Sequence, residues 1–234
     1  MNRFLARVEA RSLLALLLAA GLLWGFAELA GEIADGGTHG FDESLLLALR
    51  VPGDPADPIG PPAVETVMRD LTALGGFAIL LLVALTALTV LVLKGQPRSA
   101  VLLAAAVAGG QALSSATKGL FDRPRPDLVP WGTDALTASF PSGHATMAAA
   151  TWLTLAAMLA RAEPRRPLKA LYLGLAALVV AAVGVSRVYL GVHWPSDVLA
   201  GWSLGTAWAL LCYTVAQALD RSGRIEPERE GGAG

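Results

Sequence analysis

The sequence predicts an all-α protein: a bundle of six membrane-crossing helices with its N-terminus and C-terminus on the cytoplasmic side. Three observations predict it. First, 54% of the 234 residues are hydrophobic and only 16% are charged, with a mean hydropathy of +0.55, outside the usual range of a soluble globular domain. Second, apolar runs long enough to cross a hydrocarbon core of about 30 Å lie near Ser12–Gly31, Thr72–Leu93, Ala100–Thr117, Ser142–Ala160, Leu168–Val185 and Ser196–Leu219. Third, Lys and Arg fall unevenly between those runs. With the N-terminus inside, the inner segments carry Arg3, Arg7, Arg11, Lys94, Arg98, Arg161, Arg165, Arg166, Lys169, Arg221, Arg224 and Arg229. The outer segments carry Arg50, Arg69, Lys118, Arg123, Arg125 and Arg187. Cytoplasmic loops are the ones enriched in Lys and Arg, so the asymmetry sets the orientation. The net charge of −1 is silent about partners; the bilayer is the expected one, and no nucleic acid is expected.

Taken in order, the first run follows Arg3, Arg7 and Arg11, as the h-region of a signal peptide would. It is long for an h-region and no small-x-small site follows it, so a retained first span is expected. The longest connection comes next and is acidic and proline-rich, with Pro52, Pro55, Pro58, Pro61 and Pro62 excluding a continuous helix. Inside it, Phe41-Asp42-Glu43-Ser44 leads into Leu45–Leu49, too short to span and apolar enough to lie in the interface. A lipid-contacting lid and a surface helix packed on the bundle are equal readings of it, and His39 just before it reads as a solvated loop histidine.

The second run ends in the basic turn Lys94-Gly95-Gln96-Pro97-Arg98, which makes spans two and three an antiparallel pair. Ala104-Ala105-Ala106-Val107-Ala108-Gly109-Gly110 in the third permits close helix approach. Spans four and five are joined as tightly through Arg161–Lys169, broken by Pro164 and Pro167. Cys212 is the single cysteine; it excludes an intramolecular disulfide and a thiolate metal cluster and reads as a small core residue. Residues 1–220 read as one transmembrane domain, and 221–234, polar and Gly-rich, as a disordered tail.

Polar residues interrupt this apolar chain in three blocks, all on the outer side. Lys118 and Arg125, with Pro124 and Pro126 stiffening the segment, follow the third span. Two cations so placed can clamp a phosphate, Arg by its fork and Lys as a point charge; snorkelling from a helix end is the competing reading. Pro141-Ser142-Gly143-His144 opens the fourth span, where free backbone N–H groups and the helix dipole favour an anion. His144 there can protonate a leaving oxygen, against the alternative of an ordinary helix start. Ser186-Arg187 ends the fifth span, and His193 and Asp197, four apart, flank the start of the sixth. A carboxylate bonded to one ring nitrogen fixes the tautomer and leaves the other basic. Tyr189 and Trp194 read as members of an aromatic interface belt.

Together, Lys118-x6-Arg125-Pro126, Pro141-Ser142-Gly143-His144 and Ser186-Arg187-x5-His193-x3-Asp197 resemble the complete tripartite signature of the type 2 phosphatidic acid phosphatase superfamily, which also contains glucose-6-phosphatase and the vanadium haloperoxidases. No motif position departs from the pattern, and each has a chance frequency of roughly one in twenty or lower. The resemblance implies that His193 is the nucleophile that becomes a phosphohistidine, Asp197 its orienting partner and His144 the acid for the leaving group. It implies that Lys118, Arg125, Ser142, Gly143 and Arg187 hold the phosphoryl oxygens. No cofactor and no metal site are expected, since His39, His144 and His193 are the only histidines and none sits in a ligand spacing.

The expected protein is a multi-pass cell-membrane phosphatase with an extracytoplasmic site. Its substrate would be a lipid phosphate or diphosphate, with undecaprenyl diphosphate ranked above phosphatidylglycerophosphate and phosphatidic acid. A lipid phosphotransferase using the same phosphohistidine is the alternative, and a non-catalytic lipid-binding or transport protein a weaker one. The soluble vanadate-dependent peroxidases share the motifs, but six apolar spans argue against them. The motifs do not bear on oligomeric state.

Overall fold

The structure, a computed structural model, describes residues 3–133 and 137–221. Helix α1 (Arg3–Ala34) leads to a short α2 (His39–Leu47), a hairpin of β1 (Arg50–Val51) and β2 (Asp54–Pro58), then α3 (Pro62–Ala73) and α4 (Phe77–Leu93). The remaining helices are α5 (Pro97–Leu120), α6 (Gly143–Ala162), α7 (Arg166–Tyr189) and α8 (Pro195–Arg221). Five of these helices are long and apolar enough to cross a membrane, and α3 with α4 makes a sixth span, bent by 46°. Of the tail expected at 221–234, Arg221 ends α8 and the remaining residues lie outside the described ones.

Helix α6 is the centre of the bundle. Its Ala145, Ala148, Ala149 and Ala150 are fully buried, and it packs against α5, α7 and α8. The small side chains bring backbones together: a Cβ on Gly205 of α8 would lie 2.3 Å from the Thr146 carbonyl oxygen, and one on Gly201 2.8 Å from that of Ser142. Lipid tails are as apolar as leucine, so such close packing, not a hydrophobic force, is what holds membrane helices together. The rim shows the complement, with Leu14, Leu17 and Trp24 of α1, Leu82 and Leu85 of α4 and Leu175 and Leu178 of α7 exposed where a bilayer would cover them. Helix α1 packs along α8 and stacks Phe26 on the buried Phe140 at 5.7 Å, so the first apolar run is an integral wall of the bundle.

Three features of the first half differ from the sequence expectation. The second span is a broken pair: the run Thr72–Leu93 covers the last turn of α3, the break at Leu74-Gly75-Gly76 and α4. Alone, α4 has 17 residues, roughly 25 Å of helix, too short to cross. Glu65, Arg69 and Asp70 hide α3 from a hydropathy reading, although Arg69 pairs with Glu65 and also donates to the Gly132 carbonyl. Gly75 has a positional reason as well, because a Cβ there would lie 3.1 Å from the His144 carbonyl oxygen and 2.5 Å from Val183 Cγ1.

The proline-rich connection contains the antiparallel hairpin, pairing Arg50 with Pro58 and Val51 with Asp54. The Phe41–Leu49 stretch packs on the bundle by one face, while Phe41, Leu45 and Leu47 stay exposed on the other, as lipid contact would require. Leu46 is fully buried among Val129, Ala145, Val188, Trp194 and Val198, and Asp42 is also fully buried. His39 is the first residue of α2 rather than a loop residue; it stays exposed and pairs with Glu43 at 3.0 Å.

Candidate active site

The three blocks meet at one end of the bundle because the C-terminal ends of α5 and α7 and the N-terminal ends of α6 and α8 share it. The described parts of the joining loop, residues 121–133 and 137–142, fold over these ends, with the Ser139 amide donating to the Arg123 carbonyl at 3.0 Å. Phe140 anchors it, held between Phe26 and, at 4.9 Å, Phe121. Blocks two and three are locked together by the Ser142 amide donating to the Asp197 carbonyl at 3.0 Å.

His193 lies just ahead of α8, in the turn after α7, and is 2% exposed. Its Nδ1 is 3.5 Å from Asp197 Oδ2, and its Nε2 is 3.2 Å from Arg125 Nη1. A guanidinium can only donate, so the nitrogen facing it carries the lone pair and the proton belongs on Nδ1, toward the carboxylate. That tautomer leaves Nε2 nucleophilic. Burial pushes the His193 imidazole down to about 4, outweighing the hydrogen bond and charge of Asp197 that pull it up, so the ring is neutral at neutral pH.

Asp197 is fully buried and satisfied on both oxygens. Oδ1 accepts from Arg123 Nη1 at 2.6 Å; Oδ2 accepts from Ser139 Oγ at 2.5 Å and from the Trp194 amide at 2.9 Å. Arg123 in turn donates to Asp42 Oδ2 at 2.7 Å and to Ser196 Oγ at 2.8 Å. Asp42 caps α8 from outside, accepting from the Ser196 amide at 2.8 Å and the Ser196 hydroxyl at 2.6 Å. A buried carboxylate is tolerated only when paired and hydrogen-bonded, and here one guanidinium serves two of them.

The cations are arranged around this pair. Arg125 spends two further donors on carbonyls, Val192 at 2.6 Å and Thr137 at 2.8 Å, and burial lowers it from its usual range. Lys118 Nζ donates to the Ala138 carbonyl at 2.7 Å and to Thr137 Oγ1 at 3.1 Å. Arg187, 3% exposed, donates to Thr72 Oγ1 at 3.0 Å, while its Nε has no partner among the described residues. An unspent buried donor on a guanidinium costs free energy unless an anion takes it. Ser142 is the N-cap of α6, accepting from the Ala145 amide at 3.5 Å. Gly143 sits against Lys118, whose Cε would lie 3.3 Å from a Cβ at that position. His144, half-buried on the first turn of α6, lies within electrostatic reach of Arg187, His193, Lys118 and Arg125.

All eight residues expected from the sequence therefore surround one end of the bundle. The arrangement brings together a neutral imidazole backed by a fixed carboxylate, a second imidazole and three cations, a set that suits transfer of a dianionic phosphoryl group. Among the described residues no three His, Cys, Asp or Glu side chains converge as a metal set. Arg123, Ser139, Asp42 and Ser196 escaped the sequence reading; a buried ion network leaves no periodic or spaced signal. Tyr189 and Trp194 are not an interface belt: they are 3% and 5% exposed. The Tyr189 hydroxyl donates to the Ile59 carbonyl and Trp194 Nε1 to the Pro124 carbonyl, while Arg123 lies 5.7 Å from the Trp194 ring centre.

Known proteins match this chain at the same places. The profile of the PAP2 superfamily matches residues 99–221, from α5 through α8. Phosphatidylglycerophosphatase B of Bacillus subtilis is 30% identical over 83% of this chain and 91% of its own length. An undecaprenyl-diphosphatase of Sulfolobus acidocaldarius is 41% identical over a shorter stretch, 29% of each chain. The crystal structure of a transmembrane PAP2 type phosphatidylglycerolphosphate phosphatase from Bacillus subtilis superposes with a TM-score of 0.75 at 27% identity, over 87% of this chain and 96% of that one. With its six-span bundle and its three motif blocks gathered at one end, this chain belongs to the PAP2 superfamily.

Proposed function

We propose that the protein is a membrane lipid phosphatase, independent of metal ions, that works through a phosphohistidine on His193 at the extracytoplasmic face. The observation that carries this reading is the pair of contacts on the His193 ring, the carboxylate of Asp197 behind Nδ1 and the guanidinium of Arg125 at Nε2. Arg125 Nη1 occupies the place where the phosphorus would sit, so the guanidinium turns onto a phosphoryl oxygen as the substrate enters.

In the first step His193 Nε2 attacks phosphorus, the bond to the lipid oxygen breaks, and the departing oxygen receives a proton from His144, which becomes an imidazolium once the phosphate dianion binds beside it. Arg125, Arg187, Lys118, the Ser142 hydroxyl and the Gly143 amide balance charge on the equatorial oxygens, where phosphoryl transfer needs it most. Asp197 stabilises the imidazolium that forms at Nδ1. In the second step His144 takes a proton from water, the hydroxide oxygen bonds to phosphorus, the P–N bond breaks, and orthophosphate leaves. Asp42, Arg123 and Ser139 act as positioning residues through Asp197.

Phosphatidylglycerophosphate is favoured here over undecaprenyl diphosphate, which the sequence ranked first, because the relative matching nearly full length is named for the former and the relative named for the latter matches over only 29% of each chain. The outward site rests on the charge asymmetry of the loops.

The test is phosphate release by purified protein from phosphatidylglycerophosphate, undecaprenyl diphosphate, phosphatidic acid and a soluble sugar phosphate, with and without EDTA. The expected result is preference for phosphatidylglycerophosphate, unchanged by EDTA and inhibited by vanadate. Loss in EDTA restored by a divalent ion would overturn the metal-free mechanism. Phosphate appearing only on an added acceptor would replace hydrolysis by phosphotransfer.

A further inference from the structure

At the end of the bundle opposite His193, a cavity of about 840 Å³ opens between the C-terminal ends of α4, α6 and α8 and the N-terminal ends of α5 and α7. Helix α5 has 24 residues, so the two ends stand roughly 35 Å apart, on opposite sides of a bilayer. The cavity takes no part in the reaction described above. Its floor is apolar, built from Leu102, Met158 and Ala209, and its rim carries Lys94, Arg161 and Lys169.

The charges on that rim are not balanced. Arg161 pairs with Asp220 at 2.9 Å. Glu163 also lines the cavity, but it is turned to the start of α7, where it accepts from the Arg165 amide at 2.8 Å. Lys94 and Lys169 make no ion pair with a described residue. Two ammonium groups with no ion-pair partner among the described residues therefore stand beside an apolar hollow at the depth of helix ends, which is headgroup depth.

A volume near 840 Å³ lies within the range of pockets that enclose a small organic molecule, about 300–1,000 Å³. Basic pockets between membrane helices on the cytoplasmic side receive anionic lipid headgroups. We infer that this cavity is a binding site for one anionic phospholipid of the leaflet opposite the reactive histidine, its phosphate between Lys94 and Lys169 and its acyl chain on the Leu102–Met158 floor. The inference is independent of the reaction at the other end of the bundle.

Cys212, the single cysteine of the chain, lines the cavity and serves as a local reporter. The experiment is the rate of maleimide labelling of Cys212 in detergent micelles, with phosphatidylglycerol or phosphatidylcholine added. Phosphatidylglycerol should slow labelling at least tenfold, and phosphatidylcholine should change it less than twofold. The double variant Lys94→Gln/Lys169→Gln should lose the protection while releasing phosphate at the unaltered rate, which separates this site from lipid bound at His193. Equal protection by both lipids would mean that the cavity takes any acyl chain, and protection by neither would mean that it takes none. Protection undiminished in the double variant would remove the lysines from the site. Each of these three results overturns the inference.

Discussion

The two ends of the bundle use the same kinds of side chain in opposite ways. At the His193 end, Arg187 is buried and Arg123, Arg125 and Lys118 are half-buried, and neighbours take most of their donors: Arg123 holds Asp42 and Asp197, Arg125 holds two carbonyls and the imidazole, and Lys118 holds the loop. At the Cys212 end, Lys94 is exposed and Lys169 half-buried beside an open hollow. A buried cation must have its geometry specified by neighbours, because the cost of an unsatisfied charge is several kcal/mol. An exposed one needs only to lie on the correct side of the membrane. Hence residues of the first end are fixed in identity and spacing, while those of the second are fixed only in sign.

The sharpest way to break this contrast is to remove the specification at the reactive end without removing bulk. Asp197→Asn keeps the shape but no longer favours the proton on Nδ1 of His193. The loss in kcat should be about 10⁴-fold, the size seen when the orienting carboxylate of a hydrolase triad is made an amide; a loss below tenfold, with the protein folded, would take Asp197 out of the mechanism. Arg187→Lys keeps the charge and deletes the unspent Nε donor. A loss of about 10²–10³-fold in kcat, the scale for one donor to a developing oxyanion, should appear with little change in KM; an equal loss confined to KM would make it a ground-state binding group.

A subtler effect comes through Arg123. With glutamine there, the charge of Asp197 is no longer shared with a guanidinium, so it stabilises the imidazolium more strongly and the His193 titration should move up from about 4. Histidine NMR against pH reads this directly, and Arg123→Lys should restore most of the original value; no upward movement would show Arg123 to be only structural. The same depression links to stability. The unfolded ring takes up its proton near 6.5 and the folded ring only near 4, so stability is full above the higher value and falls as pH drops toward the lower.

The smallest effect separates the packed and lipid-facing sides of the same bundle. Gly201→Ala puts a methyl group 2.8 Å from the Ser142 carbonyl and should cost about 1–3 kcal/mol in thermal unfolding. Gly174→Ala on α7 meets nothing within 4 Å and should gain about 0.5–1 kcal/mol. Equal effects would mean that the α6–α8 crossing is looser than it looks.

These contrasts explain which parts of the protein are legible in its sequence. The spans were legible because hydropathy is a bulk property of twenty residues, and the motif residues because spaced polar groups stand out in an apolar chain. The break in the second span was not, since α3 carries Glu65, Arg69 and Asp70 and its membrane-side partner is visible only once α7 lies beside it. In the sequence Asp42 is one acid of an acidic connection and Arg123 one cation of an outer segment; 81 residues separate them, and no local pattern records a pairing at that distance. Trp194 was misplaced for the same reason. Its neighbours Pro124 and Arg123 come from another block, so burial depended on the fold.

The central claim is that His193 carries the phosphoryl group. The most direct measurement is mass spectrometry of protein mixed with phosphatidylglycerophosphate and quenched within milliseconds in alkali, which preserves a P–N bond. The account predicts a transient addition of one phosphoryl group on residue 193, lost on acidification and absent in His193→Ala. A phosphoryl group on another residue, or turnover with none on His193 in an enzyme that still releases phosphate, would contradict it.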